Sequence, residues 1–392
     1  MLKIMFWISV SFILYTYLGY PLLITLIARL KAKPVNRYLP NPLPSVSMVI
    51  AAYNEERRIK DKLENSLALD YPRSKFEIIV VSDGSSDKTN EIVRNFADSG
   101  VKLIALPQRG GKAHALNIGV SKAAGDIILF SDARQLYDKN ALKEIIANFN
   151  DKSIGAVSGE LHLVEELKLQ DGSFSEAIES VGFYWRYEKM LRKLESKIDS
   201  TVGATGAIYA IRKKLFQSIP EDTILDDVLI PMRVVLQGYR VIFESKAKAF
   251  DTISPNPKAE FVRKTRTLAG NFQLFLRHRE LYNPFRNRIL LQMISHKLFR
   301  LIVPLALFCA FTANAFLLKA PFYRITFVVQ LLLYLSAISW ALVPQRCSKF
   351  RRLLSIPHTF LMLNAAVLVG FYRYITRKQR ITWDRAQVDS SE

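Results

Sequence analysis

The stretch Val46-Ser47-Met48-Val49-Ile50-Ala51-Ala52-Tyr53-Asn54-Glu55 runs from apolar residues into an acidic turn, and this pattern recurs twice before residue 133. The recurrences are Ile78-Ile79-Val80-Val81 before Ser82-Asp83-Gly84-Ser85-Ser86-Asp87, and Ile127-Ile128-Leu129-Phe130 before Ser131-Asp132-Ala133. Short apolar runs that end at turn residues predict buried parallel strands. Ligands of open α/β sheets bind at the carboxyl ends of such strands, so we expect Glu55, Asp83 and Asp132 to face one cleft. Three neighbouring carboxylates repel one another, which predicts a cationic or hydrogen-bonding ligand between them.

The composition favours a membrane protein. The 392 residues are 50% hydrophobic, yet the formal net charge is +20. A soluble part that faces anionic headgroups or handles phosphorylated substrates explains this combination. The basic residues concentrate beside apolar spans rather than on one helix, which argues against a nucleic-acid partner. Cys309 and Cys347 have no CxxC spacing, which argues against a zinc site and against a disulfide scaffold.

The N-terminal 30 residues are predicted to form a transmembrane helix. Residues 4–28 carry no charge, and this run is long enough to cross a bilayer. It is also longer than the apolar core of a signal peptide. Only Lys3 precedes the run, whereas four basic residues follow it, namely Arg29, Lys31, Lys33 and Arg37. The positive-inside rule therefore places the following domain in the cytoplasm. We expect a multi-pass protein of the cell membrane, that is, the inner or plasma membrane.

Residues 31–44, with four prolines between Pro34 and Pro44, are predicted to be an extended linker. Residues 45–275 alternate strand-like and helix-like runs, which predicts one α/β domain with a mostly parallel sheet. The predicted strands are 45–52, 76–82, 101–106, 126–131 and 154–159. The predicted helices cover about 55–69, 87–98, 112–123 and 139–149, and Asp87 is a candidate N-cap.

Three further membrane helices are predicted within residues 299–375. Three uncharged runs lie between Arg300 and Lys319, Arg324 and Arg346, and Arg352 and Arg373. Residues 276–298 mix Arg286, Arg288, His296 and Lys297 with apolar residues, which indicates an amphipathic segment on the membrane surface. Residues 376–392 form a polar tail.

The two topology signals at the C-terminus disagree. Three crossings from a cytoplasmic domain leave the C-terminus outside, whereas the basic residues there favour the cytoplasm. These residues are Arg373, Arg377, Lys378 and Arg380. Either one run is re-entrant or interfacial, or the charge rule fails at this end. The third run, which contains Pro357, His358 and Asn364, is the weakest span.

The first two acidic turns are candidates for binding a nucleotide. The ring of Tyr53 is able to stack on a base, and the carboxylate of Glu55 is able to accept its N–H groups. A plain helix start with Asn54 as its cap explains the same acids. Asp83 stands where it would accept a hydrogen bond from a base or ribose, although capping of its own loop is an equal alternative.

The segment Arg109-Gly110-Gly111-Lys112 indicates an anion site. It offers exposed backbone N–H groups, a helix N-terminus and a lysine. Its spacing is not that of a Walker A loop. Lys112 is therefore a candidate contact for the phosphates of a nucleotide.

The third acidic turn, Asp132-Ala133-Arg134, is a candidate metal site. One carboxylate together with diphosphate oxygens and water is able to hold Mg²⁺ or Mn²⁺. Arg134 is able to contact the phosphates instead. A solvated acid–base pair at the end of a strand is the remaining alternative.

The second half of the domain contains candidates for acceptor binding. Asp226 and Asp227 begin a predicted helix, where capping alone would favour acids, but a carboxylate at this place is also able to act as a general base on an acceptor hydroxyl. The small segment around Gly206 either admits a sugar or forms a tight loop. Trp185 either stacks on a sugar or packs in the core. Arg263 and Arg266 share a helix face, where they would neutralise a leaving diphosphate or meet lipid headgroups.

In this order the motifs resemble glycosyltransferase family 2, the GT-A fold group that includes cellulose, chitin and hyaluronan synthases. The match runs from about Ser45 to Thr267. Its motifs are Ala51-Ala52-Tyr53-Asn54-Glu55, Val81-Ser82-Asp83-Gly84-Ser85-Ser86-Asp87, Gly111-Lys112-Ala113-His114-Ala115-Leu116-Asn117, Ser131-Asp132-Ala133, Leu225-Asp226-Asp227 and Arg263-Lys264-Thr265-Arg266-Thr267.

The resemblance implies that Tyr53, Glu55 and Asp83 bind the uridine of a UDP-sugar. It implies that Asp132 belongs to an Asp-x-Asp motif for metal and diphosphate, and that Asp227 is the general base. Arg263 and Arg266 fall on a Gln-x-x-Arg-Trp motif. The chain departs from these motifs at three positions: Arg134 replaces the second acid, Arg263 replaces the Gln and Thr267 replaces the Trp.

The sequence thus predicts a membrane-bound inverting glycosyltransferase that extends a β-linked polysaccharide for the cell surface or for export. Its expected partners are a UDP-sugar, a glycan or lipid-linked acceptor and membrane lipids, and the sequence identifies no export partner. One alternative is transfer of a single sugar to a lipid-linked acceptor. Another alternative, motivated by Arg134, is a membrane scaffold with a degenerate transferase domain. A transporter lacks support because few ionisable groups lie within the spans.

Overall fold

The structure, a computed structural model, describes residues 1–164, 169–170, 173–174, 183–252, 257–343 and 348–379. Cys347, Arg346, Arg380 and most of the predicted tail lie outside the described residues.

An eight-stranded mixed sheet forms the centre of the domain. Its spatial order is β3-β2-β1-β4-β9-β6-β10-β5. The strands are β1 (Val46–Ala52), β2 (Phe76–Asp83), β3 (Val101–Leu106), β4 (Ile127–Asp132), β5 (Leu136–Tyr137), β6 (Ile154–Val164), β9 (Tyr209–Arg212) and β10 (Arg240–Thr252). Two further short strands, β7 (Leu169–Gln170) and β8 (Ser173–Phe174), pair with each other. The first four strands in this order, β3, β2, β1 and β4, run parallel to one another, so β1, β2 and β4 end at the same edge.

Alternate side chains of the central strands pack into two apolar cores on opposite faces of the sheet. Val49 and Ile79 belong to one core, whereas Met48 and Val80 belong to the other. All four side chains are fully buried. Burial on both faces explains why these strands have continuous apolar sequences.

The predicted α/β fold class is confirmed, and the five predicted strands correspond to β1, β2, β3, β4 and β6. The prediction missed β5, β9 and β10. The strand β5 has only two residues, and β9 has four. The strand β10 alternates buried residues with exposed lysines, for example Ala247 with Lys248, so it lacks the continuous apolar run.

The helices of the domain are shorter than the sequence pattern predicts. They are α2 (Ile59–Leu67), α3 (Thr89–Arg94), α4 (Lys112–Lys122), α5 (Ala141–Ile146), α6 (Phe183–Ile198), α7 (Asp226–Leu236) and α8 (Pro257–Arg277). Short 3₁₀ segments occupy Arg73–Lys75, Ala97–Ser99, Ala147–Asn150, Lys213–Leu215, Arg279–Tyr282 and Trp340–Leu342. The N-cap of α3 is Lys88 rather than Asp87, although Asp87 accepts the backbone N–H of Thr89 at 3.0 Å.

Among the residues that the structure describes, four helices are long and apolar enough to cross a membrane, judged by length and composition. The first, α1 (Leu2–Leu30), contains a π-helical turn at Tyr15–Gly19. The others are α9 (Leu290–Phe316), α10 (Pro321–Ser339) and α11, whose helix is Ser348–Ile375 and whose apolar span begins at Leu353. The predicted linker between α1 and β1 has no regular helix or strand, and it packs on the domain through Arg37, which pairs with Glu144 and Glu244.

The structure corrects the prediction of a separate surface segment at residues 276–298. Residues 290–298 are the first turns of α9 and continue directly into its apolar part. His296, which gave the segment its amphipathic pattern, is buried against Glu195 of α6, with 2.7 Å between Nδ1 and the carboxylate. His296 therefore takes part in the packing of α9 on α6.

The helix α11 ends against the domain. A Cβ on Gly370 would lie 3.0 Å from the backbone nitrogen of Ala269 in α8, and Phe371 packs on Phe272 at 5.0 Å between ring centroids. At the other end of the bundle, Phe6 of α1 packs on Tyr323 of α10. The basic residues after α11 therefore begin beside the domain.

Candidate active site

The loops that follow β1 and β2 are joined by hydrogen bonds. Asn54 adopts a left-handed conformation with φ of 52°. Its backbone N–H donates to Ser85 Oγ at 3.1 Å, and its side-chain oxygen accepts the N–H of Ser86 at 2.9 Å. The N–H of Glu56 donates to Asp87 Oδ2 at 3.2 Å. The two acidic turns therefore form one connected rim.

Asp83 fixes the glycine-rich loop that precedes α4. Its carboxylate is fully buried and accepts the N–H groups of Gly110 at 2.7 Å and Gly111 at 2.9 Å. Gly111 has φ of 94°, which disfavours any residue with a Cβ. The structure thus supports loop capping by Asp83, and a contact with the nucleotide remains a prediction.

Tyr53 faces the same loop. The guanidinium carbon of Arg109 lies 3.8 Å above the centroid of its ring. The backbone N–H of Glu55 donates to Thr89 Oγ1 at 2.8 Å. One face of Tyr53 is therefore covered by a cation, which leaves the other face as the one on which a base would stack.

Lys112 links the two halves of the domain. Its Nζ lies 2.8 Å from Asp132 at the end of β4 and 3.3 Å from Asp226 at the start of α7. Burial opposes the charge of Lys112, but Asp132, Asp226 and Asp227 together raise its pKa. Burial likewise acts against ionised Asp132, yet Lys112 holds the pKa of that carboxyl below its usual value. This pairing joins residues that are far apart in the sequence at one edge of the sheet.

The candidate metal site contains one carboxylate, that of Asp132 at the end of β4. Arg134, which stands two residues after Asp132, pairs instead with buried Asp251 at 3.0 Å. Within the described residues no group of three or more His, Cys, Asp or Glu side chains forms a metal cluster. A divalent cation would fit here with Asp132 as its protein ligand, since Mg²⁺ sites commonly combine one or two carboxylates with substrate phosphates.

Asp227 lies beside the small segment that the sequence singled out. The N–H of Gly206 donates to its Oδ2 at 3.0 Å, and the N–H of Ala204 donates to its backbone carbonyl at 2.7 Å. Burial, reinforced by the charge of Asp226, raises the pKa of Asp227 to about 6. A carboxylate with such a pKa is better suited to accept a proton near neutral pH than an ordinary aspartate.

Two buried residues near these acids were missed by the sequence reading. Tyr209 stacks on Phe130 with 4.7 Å between ring centroids, and its hydroxyl has no hydrogen-bond partner among the described residues. Lys62 is fully buried, and its Nζ donates to the carbonyl of Gln135 at 2.7 Å. Burial lowers the pKa of Lys62 to about 7. A lysine on the apolar face of α2 was the available sequence signal for Lys62.

The remaining candidates lie apart from this cluster of acids. Arg263 pairs with Glu260, and Arg266 has a buried Nε without a hydrogen-bond partner among the described residues. Trp185 lies under Lys264 at 5.2 Å and lines a narrow groove together with Thr205, the neighbour of Gly206. The structure thus brings Lys112, Asp132, Asp226, Asp227 and Gly206 together. Trp185 lies outside this group, at the narrow groove beside Thr205.

Comparison with known sequences identifies relatives of the domain. The family described as Glycosyl transferase family 2 matches residues 47–219. The probable glycosyltransferase YdaM of Bacillus subtilis (strain 168) is 30% identical over 244 residues, which cover 60% of this chain and 57% of that protein. A poly-beta-1,6-N-acetyl-D-glucosamine synthase of Staphylococcus aureus (strain COL) is 26% identical over 247 residues, which cover 60% and 56%. The chain thus spans little more than half the length of these curated relatives.

Comparison with solved structures supports the fold. The mannosyltransferase PcManGT from Pyrobaculum calidifontis, solved in complex with GDP-Man and Mn²⁺, superposes with a TM-score of 0.69 at 23% identity. The superposition covers 96% of this chain and 100% of that chain. Together with the family match, it confirms the GT-A fold that the sequence motifs predicted.

Proposed function

We propose that the chain, whose residues 47–219 match the family Glycosyl transferase family 2, transfers a sugar from a nucleotide sugar to a hydroxyl of a growing glycan with inversion. The observation that carries this proposal is the meeting of Lys112, Asp132 and Asp226 beside Asp227 at the carboxyl ends of the strands. Donor-side and acceptor-side groups then flank a single reaction centre.

In the proposed step Asp227 removes the proton from the acceptor hydroxyl. The oxygen attacks the anomeric carbon as the bond from that carbon to the diphosphate breaks, and the nucleoside diphosphate leaves with the bonding electrons. The N–H of Gly206 holds the base in place, and Lys112 offers a positive charge to the diphosphate. A divalent cation, Mg²⁺ or Mn²⁺, bound by Asp132 and the diphosphate would neutralise charge on the leaving group.

The nucleotide lies, in this proposal, against Tyr53, Glu55 and Asp83. The resemblance favours uridine, whereas PcManGT was solved with GDP-Man. Arg263 and Arg266 are proposed to approach the diphosphate from α8. Asp226, Gly206 and Trp185 are proposed to form the acceptor side.

We place the protein in the cell membrane with the domain on the cytoplasmic side. The basic residues after α1 support this orientation. The end of α11 beside the domain supports the same side for Arg373 and Arg377. The four helices of membrane-spanning length support a multi-pass protein. A C-terminus on the same side as the domain requires that one of the three helices after the domain, α9, α10 or α11, is re-entrant or interfacial rather than a complete crossing.

The decisive experiment incubates the detergent-purified chain with radiolabelled UDP-sugars and GDP-mannose, and follows release of the nucleoside diphosphate. Turnover with one donor is the expected result. Glu221→Gln is the matched control for substitutions of Asp226 and Asp227. This exposed residue lies shortly before them in the chain, and it pairs with His114 at the surface. Absence of hydrolysis and transfer with every donor would favour the scaffold alternative.

The metal proposal has a readout that does not depend on turnover. Binding of Mn²⁺ in the presence of UDP or GDP is measured by calorimetry for the wild type and for Asp132→Asn. We expect the variant to lose the coupling between metal and nucleotide. Equal coupling in both proteins would remove Asp132 from the metal site.

A further inference from the structure

The two acids at the start of α7, Asp226 and Asp227, follow a segment that is neither helix nor strand. This segment, residues 216–225, connects the 3₁₀ turn Lys213–Leu215 to α7. Because it belongs to no helix or sheet, its backbone N–H and C=O groups take their partners from other parts of the fold. The groups that supply those partners determine where the segment delivers the two acids.

Gln273 of α8 supplies two of these partners with one buried side chain. Its Nε2 donates to the carbonyl of Asp222 at 2.7 Å, and its Oε1 accepts the N–H of Ile224 at 2.9 Å. Arg277, one turn later in α8, pairs with the carboxylate of Asp222. One amide therefore fixes the backbone just before Asp226.

The helix α8 also makes room for the segment beside Gln273. A Cβ on Gly270 would lie 2.6 Å from Cγ of Leu225 and 2.9 Å from Cγ2 of Ile224. Glycine is unfavourable inside a helix, so the close approach of these two side chains explains its presence here. Packing and hydrogen bonds thus hold the end of the segment on one face of α8.

A second amide, Asn117 of α4, holds the beginning of the same stretch. Its Nδ2 donates to the carbonyl of Ile219 at 2.8 Å, and its Oδ1 accepts the N–H of Ile219 at 3.0 Å. Lys112, in the first turn of the same helix, contacts Asp226 directly. The helix α4 therefore reaches the acids through Lys112 and the chain that leads to them through Asn117.

The support for Gln273 is itself packed. A Cβ on Gly370 of α11 would lie 3.0 Å from the backbone nitrogen of Ala269, and Phe371 packs on Phe272, the neighbour of Gln273. The helix α8 thus contacts both α11 and the 216–225 segment.

We propose that Gln273 and Asn117 are positioning residues for Asp227. They hold the 216–225 segment so that the carboxylate of the base stands at the acceptor hydroxyl. This inference rests on the proposed function and names two groups that serve its base through the backbone. The N–H of Gly206 fixes the carboxylate itself. A displacement of about 1 Å at a reacting group is able to lower a rate by about 10²-fold, so the chain that leads into the base matters to turnover.

The first measurement is hydrogen exchange of the purified full chain, followed by mass spectrometry of peptides that cover residues 219–225. Gln273→Met keeps the length of the side chain and removes both hydrogen bonds. We expect the N–H of Ile224 to exchange about tenfold faster in this variant, because its acceptor is lost. Gln273→Glu keeps an acceptor for that N–H, so exchange should stay within about twofold of the wild type.

The second measurement separates kcat from KM with the donor that the chain turns over. Gln273→Met and Asn117→Leu, which act on the segment from two different helices, are each expected to lower kcat about tenfold. The KM for the donor should stay within about twofold, because the turns after β1, β2 and β4 are unchanged. Gln273→Glu should recover most of the loss in kcat.

Asn287→Leu is the matched control. Asn287 is also a buried amide that joins two backbone groups, since it donates to the carbonyl of Leu281 at 2.6 Å and accepts the N–H of Ile289 at 3.1 Å. It lies between α8 and α9, outside the 216–225 segment. We expect this variant to lose as much thermal stability as Gln273→Met and to keep the kcat of the wild type.

Three results would overturn the inference. Unchanged exchange at Ile224 in Gln273→Met and at Ile219 in Asn117→Leu would show that the amides do not hold the segment. Faster exchange with an unchanged kcat would separate the segment from the base. An equal loss of kcat in Asn287→Leu would assign the effect to stability.

Failure of the proposed function has a different signature. In that case the wild type turns over no donor, whereas exchange at Ile224 and Ile219 still accelerates in the variants. That pattern would remove Asp227 as a base, and with it the positioning role, but it would leave the contacts of the two amides in place.

Discussion

The backbone N–H of Gly206 points at the carboxylate of Asp227, with 3.0 Å between the nitrogen and Oδ2. A residue with a Cβ at position 206 would place that atom 3.2 Å from the same oxygen. The pair therefore fixes the position of one carboxylate oxygen of Asp227.

Replacing Asp227 with Asn should abolish sugar transfer and preserve nucleotide binding. The amide keeps an oxygen that is able to accept the N–H of Gly206, but it is unable to take a proton. Loss of a general base typically lowers the rate by about 10²–10⁴-fold. Transfer rates and the affinity for UDP or GDP are measured on the same preparation. Retained transfer would exclude Asp227 as the base.

The pH dependence of transfer should show an acidic limb near pH 6. Asp227 acts only when ionised, and its pKa is raised to about 6, so kcat/KM should fall as the pH drops through that value. Asp226→Asn removes the neighbouring charge that contributes to this rise, and the limb should then move to lower pH. Because Asp226 also contacts Lys112, the overall rate is expected to change as well, so the measurement is the pH at which the limb lies in the wild type and in the variant. If the limb lies at the same pH in Asp226→Asn as in the wild type, it does not report the ionisation of Asp227.

Replacing Asp83 with Asn should loosen the glycine-rich loop. The carboxylate accepts two backbone N–H groups, whereas an amide offers one oxygen and leaves one N–H without a partner. We expect a loss of about 1–3 kcal/mol in the free energy of unfolding and weaker nucleotide binding. Asp98→Asn, at an exposed position, is the control. Equal stability of both variants would argue against the loop-fixing role.

Lys62→Met should stabilise the protein at neutral pH. The pKa of Lys62 is about 7 in the folded chain, below its ordinary value near 10.4 in the unfolded chain. Below about pH 7 folding buries a charged lysine, which lowers the free energy of unfolding by the full amount. This destabilisation disappears as the pH rises toward 10, where the lysine is neutral in the folded chain and increasingly neutral in the unfolded chain. Methionine removes the cost but leaves the carbonyl of Gln135 without its donor. We expect a gain of roughly 1–3 kcal/mol at pH 7 that vanishes or reverses at pH 10. Thermal unfolding at both pH values measures it, and a gain independent of pH would contradict the assignment.

The parts of the fold that the sequence predicted are those that neighbouring residues determine. The runs that became β1, β2 and β4 are apolar on both faces, and their acidic turns follow directly in the chain. The position of Asp83 at the end of β2 was therefore predictable. Its bond to Gly111 was not, since that contact depends on how β3 returns the chain to the sheet edge.

The parts that the sequence did not predict depend on contacts between distant segments. The salt bridge from Lys112 to Asp226 forms only after β9 inserts between β4 and β6 and brings α7 to the edge. His296 resembled a surface residue because its partner Glu195 lies about a hundred positions earlier. The same reason explains why the sequence suggests for Arg134 either a phosphate contact or a solvated acid–base pair at the strand end, whereas its partner in the structure is the distant Asp251.

The rim formed by the turns after β1 and β2 has a thermodynamic consequence. Asn54, Glu56 and Asp83 make hydrogen bonds with the neighbouring loops, so the protein itself holds the backbone of the rim in place. A nucleotide that binds at this rim, as proposed, would meet a backbone that is already ordered, so little conformational entropy would be lost on binding. Most of its contact energy is then available as affinity rather than being consumed in shaping the pocket.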